Sequence, residues 1–196
     1  MKKKLTMIAA LALAVCIGIG GTLAWLTSQT QAITNTFTVG KVDITLQEKE
    51  IGGDTFLDAK TEAKAQTYKV SPGVPVNKEA DVIVKANSED SYLFVKVVKG
   101  TSFDANFEYT IADGWTALTG VDGVYYRTVN ANTANQTFDV LKGNQVVVKN
   151  TVTTLDENAT LSFQAYAIQK AGISAADNKT AEQVAWETVS STTIGA

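Results

Sequence analysis

The chain has 196 residues, with 17 Lys and Arg against 20 Asp and Glu, a formal net charge of −3, one cysteine and no histidine. The lack of imidazole removes the commonest general base and the commonest zinc ligand together, and a single cysteine excludes a disulfide framework. Modest acidity argues against nucleic acid or an anionic membrane as a partner.

Met1 and three lysines, Lys2, Lys3 and Lys4, precede an uncharged apolar run over residues 5–21. That order reads as an export signal. Thr22-Leu23-Ala24 places small residues three and one before a cut, which predicts cleavage between Ala24 and Trp25. A second site with the same spacing ends at Thr30 and Ala32. An uncleaved anchor fits less well, because the run falls short of the roughly 20 residues that cross a bilayer and no basic cluster follows it. Cleavage removes Cys16 and the three lysines, so the mature chain is more acidic and free of thiol. It also leaves a single domain of ordinary size, able to bury about 70% of its unfolded surface, with no stable membrane span.

Residues 25–39 follow as a mostly polar segment in which Ile33, Thr36, Phe37 and Val39 would meet a sheet, Phe37 and Val39 sharing a face when extended. The segment reads either as an arm free to add to an open sheet edge or as a frayed terminus leading into its own first strand. From residue 41 the periodicity is two: Val42, Ile44 and Leu46 face one way, Lys41, Asp43 and Thr45 the other. Residues 48–67 are polar and predict an excursion, helical over 58–65. Ser71-Pro72-Gly73 reads as a turn.

Val82 and Val84 mark the next strand, and residues 92–99 are apolar on both faces, as a central strand should be. Further strands are predicted over 107–111, 115–118, 124–129 and 161–169. Residues 138–142 and 145–149 read as a hairpin closed at Gly143-Asn144 in a type II′ turn. Thr180 and Gln183 make a capping box for a short amphipathic helix with Ala181, Val184, Ala185, Thr188 and Val189 at helical spacing, and Trp186 should anchor it in the core. The tail over 190–196 carries no sortase-type motif. The organisation is thus a leader (1–24), an arm and first strand (25–40) and an all-β, jelly-roll-like β-sandwich (41–196) with one or two peripheral helices.

Gly20-Gly21-Thr22-Leu23-Ala24-Trp25-Leu26-Thr27 and the following run from Asn35 to Ile44, Asn-Thr-Phe-Thr-Val-Gly-Lys-Val-Asp-Ile, resemble the exported TasA/camelysin family. Ser71-Pro72-Gly73 to Val97, and Phe163 to Lys170 before the Trp-bearing helix, are similar to that group too. The resemblance implies cleavage by a SipW-type signal peptidase and secretion to a cell surface or biofilm matrix. It also implies homopolymerisation by N-terminal strand donation, with a matrix polysaccharide or accessory matrix protein as further partner. The camelysin branch is described as a surface metalloprotease, but this sequence departs from that activity: without histidine there is no His-Glu-x-x-His helix.

Trp115, Tyr125 and Tyr126 on an apparent hairpin are candidates for stacking a ligand, which would make the protein a monomeric adhesin or carbohydrate-binding module. Asp54, Asp58, Glu89, Asp90 and Asp156-Glu157-Asn158 lack the spacing of a calcium loop and read as solvated turns. No catalytic residue, metal ligand or cofactor is assigned, and the leading expectation is a secreted, non-enzymatic structural protein.

Overall fold

The structure is a computed structural model and describes residues 40–60, 65–154 and 159–191. Eleven strands and two helices occupy these residues: β1 (Ile44–Lys49), β2 (Phe56–Asp58), β3 (Pro75–Asn77), β4 (Ala80–Val84), β5 (Ser91–Lys99), α1 (Phe103–Asn106), β6 (Phe107–Ile111), β7 (Thr116–Ala117), β8 (Val124–Val129), β9 (Gln136–Asp139), β10 (Leu141–Val148), β11 (Leu161–Gln169) and α2 (Ala181–Ser191). They form three antiparallel sheets in the orders β2-β1-β4-β9, β3-β10-β6 and β11-β5-β8-β7. The expected all-β sandwich is what forms.

Alternation in β5 explains the layering. Leu93, Val95 and Val97 point to one side, where they meet Ala80, Val82 and Val84 of β4 together with Val129 and Val140. Tyr92 and Phe94 point to the other side, against Ala185 and Trp186 of α2. A strand covered on both faces carries apolar residues at consecutive positions, as β5 does. Leu93 and Phe94 are both fully buried, and each contributes about 1.5–3 kcal/mol of transfer free energy.

The second sheet has its own cluster, in which Leu141, Val146 and Val148 pack on Phe103 and Phe107; Tyr109, Ile111, Leu161 and Phe163 are shared with the main core. The rings of Phe103 and Phe107 stack at 5.2 Å. On α2, Thr180 N–H donates to Gln183 Oε1 (2.8 Å) and Gln183 N–H to Thr180 Oγ1 (3.4 Å), the predicted capping box. Trp186 is buried, edge-on to Tyr166 at 5.2 Å and 5.5 Å from the Phe94 ring. Thr188, expected on the core face, is exposed and its hydroxyl donates to Val184 C=O at 2.8 Å.

Two local expectations are corrected. The hairpin at Gly143-Asn144 does not form: β9 pairs with β4 in one sheet and β10 pairs with β3 and β6 in another. Their junction, Val140 and Leu141, is fully buried where the chain crosses between sheets. Gly143 (φ 65°) and Asn144 (φ 53°) instead make a bulge in β10, in which four residues between Leu141 and Val146 oppose Thr110 alone. Asn144 C=O accepts from Lys78 N–H at 2.7 Å, which fixes the bulge to the neighbouring loop. The second correction concerns the helix over 58–65. Asp58 ends β2, paired with Gln47, and its Oδ1 accepts from Lys60 N–H at 2.8 Å, so the chain turns there; residues 61–64 lie outside the described residues.

Candidate functional site

Ala24 and Trp25, where cleavage is expected, and Ile33, Thr36, Phe37 and Val39 of the expected arm lie outside the described residues. What the structure does describe is the edge of the second sheet at β6. Among the described residues β6 pairs with β10 alone. Lys149 N–H donates to Asn106 C=O at 2.9 Å, and the alternation of an antiparallel ladder then turns the main chain of Tyr109 away from β10. A groove of about 570 Å³ runs along this side, lined by β6 and by Lys99, Tyr125 and Lys149. Its walls are mixed: half-buried Tyr109, Ile111 and Tyr125 beside the Lys99–Asp104 ion pair at 2.6 Å. Burial, with Tyr125 close by, pushes the Tyr109 hydroxyl up to about 12.

The three aromatics singled out from sequence are not brought together as one platform. Tyr125 and Tyr126 lie on opposite faces of β8, Tyr125 on the main core and the groove, Tyr126 beside Phe94 at 6.3 Å. Trp115 precedes β7 and its indole N–H donates to Asp139 C=O at 2.8 Å.

A residue that sequence reading passed over stands beside Trp115. Arg127, the chain's one arginine, lies 3.9 Å over the Phe138 ring and 5.3 Å from that of Trp115. Burial lowers its pKa, yet a guanidinium stays protonated in proteins. Its position next to two tyrosines in a strand gave no signal of this, since both rings come from other elements.

Two clusters of ionisable groups are built into the first sheet. Glu48 Oε1 accepts from Lys78 Nζ (2.8 Å), Tyr68 Oη (2.7 Å) and Gln66 Nε2 (2.9 Å). Lys78 is buried and sits 5.3 Å over the Tyr68 ring; burial, then the bond to Glu48, raises the Tyr68 pKa. On the same sheet, Asp81 of β4 is flanked by Gln47 of β1 and Asp139 of β9.

The acidic turn residues Asp54, Glu89 and Asp90 are exposed, as solvated turns should be. Asp90 Oδ1 accepts from Ala131 N–H at 2.6 Å, Asp54 lies fully exposed 3.5 Å from Lys49 Nζ, and the Glu89 side chain packs against Gly40; residues 156–158 lie outside the described residues. No group of three or more His, Cys, Asp or Glu side chains that could hold a metal ion occurs among the described residues. With no imidazole in the chain, the donor set does not fit a zinc peptidase, whose metal is held by nitrogen or sulfur with carboxylate.

No curated protein and no solved structure matches the chain. A family model described as camelysin metallo-endopeptidase matches residues 1–54. The match covers the expected leader and arm together with β1, where the sequence has neither histidine nor, beyond Cys16, cysteine. The resemblance read from the N-terminal residues is met by this finding: over residues 1–54 the chain is similar to the camelysin family.

Proposed function

We propose that the chain is an exported structural protein of a cell surface or extracellular matrix, released by cleavage after Ala24 and self-associating by donation of its N-terminal arm to a second copy. The observation that carries this reading is the β6 edge, which has one strand neighbour among the described residues and borders a groove lined by Tyr109, Ile111 and Tyr125. An arm with Ile33, Phe37 and Val39 supplies apolar groups for such a groove, and its main chain supplies the ladder. Fifteen extended residues reach about 50 Å, enough to leave one domain and cross onto another.

Burying three or four apolar side chains is worth about 5–10 kcal/mol, whereas association costs on the order of 4–15 kcal/mol. Assembly therefore depends on concentration and conditions, with the main-chain bonds setting register. Size-exclusion chromatography of the chain from residue 25, with and without residues 25–36, tests the proposal. The full form should populate oligomers on concentration and the truncated form should stay monomeric; a full form that is monomeric throughout refutes strand donation.

A further inference from the structure

We infer that Arg127 anchors a carboxylate-binding site beside Trp115 and Phe138, one that takes the uronate of an acidic glycan. The inference starts from an imbalance. A guanidinium carries five N–H donors, and those of Arg127 meet no acceptor among the described residues, its contacts being the two aromatic rings. Nε is buried without a partner, while Arg127 as a whole is only half-buried.

Carboxylates are near at hand yet engaged elsewhere. Asp113, in the turn before β7, pairs with Lys142 at 3.2 Å. Asp139 lends its carbonyl to Trp115 and its side chain faces Asp81. Neither comes within ion-pair reach of Arg127, so the cation is held by stacking and left without a carboxylate partner among the described residues.

The surroundings are shaped for the guanidinium. Gly114, at φ 87°, passes so close that a Cβ there would lie 2.9 Å from Arg127 Nη2; glycine leaves the space. Phe138 and Trp115 fix the guanidinium plane and lower the local dielectric, and the Trp115–Asp139 bond fixes the indole in turn. A planar carboxylate binds two parallel N–H groups of a guanidinium bidentately. A ring-borne carboxylate also lays C–H groups along the aromatic wall, which a carboxylate on a flexible peptide side chain does not. The chain is acidic overall, so long-range electrostatics oppose an anionic ligand and recognition rests on this local fork.

The single arginine gives the test an unambiguous reporter, one Nε–H signal in a ¹H–¹⁵N spectrum. Titrating the chain from residue 25 with a trigalacturonate should shift that signal and the Trp115 indole signal saturably, while neutral galactose oligomers leave both unmoved. Arg127→Lys keeps the charge but loses the fork, and should weaken binding by about tenfold or more with the remaining amide signals in place. Absence of any shift at about 10 mM trigalacturonate, above the millimolar affinity expected of one such contact, overturns the inference. So does a response to an oligoglutamate peptide with none to the uronate, or an Arg127→Lys protein that binds unchanged.

Discussion

Asp81 and Asp139 stand directly opposite one another across β4 and β9, with Gln47 of β1 on the other side of Asp81. Asp81 is buried and its Oδ1 has no hydrogen-bond partner among the described residues. Desolvation, opposed by the Gln47 hydrogen bond and reinforced by the charges of Asp139 and Glu79, raises its pKa from 3.8 to about 6.

A carboxyl group with a raised pKa in the fold binds its proton more tightly folded than unfolded. Its contribution to stability is complete below about pH 4 and is lost as pH rises through about 6. At pH 7 the loss amounts to about 3 kcal/mol at most. Asp81→Asn keeps the shape and removes the charge, so it should raise the unfolding free energy at pH 7 by about 1–3 kcal/mol and change little at pH 4. Urea unfolding at the two pH values measures this, and equal effects at both would show that the ionised carboxylate is not what is disfavoured.

Glu48 makes the opposite prediction. It is the acceptor for Lys78, Tyr68 and Gln66 at once. Removing one partner of a buried ion pair leaves the other uncompensated, at a cost of about 3–5 kcal/mol when burial is complete; Glu48 keeps 27% exposure, so Glu48→Ala should cost about 2–4. Lys78→Met combined with Glu48→Leu removes both charges and should cost less than Glu48→Ala alone. Thermal unfolding of the two variants decides; a double variant worse than the single would place the stabilisation in the ion pair itself.

These clusters also show where sequence reading stopped. The period-two pattern located β1, β4, β5, β6, β8 and β11 to within a few residues, because each buries at least one face and the pattern records burial. It could not pair them. Asp81 looks like a solvent-facing residue between Ala80 and Val82 until β9 brings Asp139 alongside. Gly143-Asn144 has the φ > 0 tolerance that a hairpin and a bulge both need, and only the buried Val140–Leu141 junction, a long-range feature, separates the two. Arg127 was illegible for the same reason, since its stacking partner Phe138 arrives from a different sheet.

Helix α2 should behave as a docked cap whose strength lies in one side chain. Trp186→Ala removes a buried ring between Phe94 and Tyr166 and should cost about 3–5 kcal/mol. Thr180→Ala removes one side of the capping box and should cost about 1 kcal/mol. Chemical unfolding followed by tryptophan fluorescence and by circular dichroism measures both; comparable losses for the two would mean that the helix is held by its cap rather than by its core contact.

The β6 edge supplies the remaining prediction, which separates an acceptor groove from an incidental one. Tyr109 turns its main chain to the open side and its half-buried ring meets Tyr125 and the Phe103 ring, 5.9 Å away. Tyr109→Lys puts a charge where an incoming apolar strand would lie, a device by which edge strands repel partners. The monomer should lose about 1–3 kcal/mol from reduced burial, while assembly of the chain from residue 25 should need at least about tenfold higher concentration, since about 1.4 kcal/mol at the contact already gives that factor. β11 is another of the six edge strands, bonded to β5 on one side among the described residues, and its exposed Ser162 allows a control. Ser162→Lys should leave assembly unchanged if β6 is the receiving strand. If instead Ser162→Lys blocks oligomers and Tyr109→Lys does not, the arm adds to β11, and the groove beside Tyr125 plays no part in joining one copy to the next.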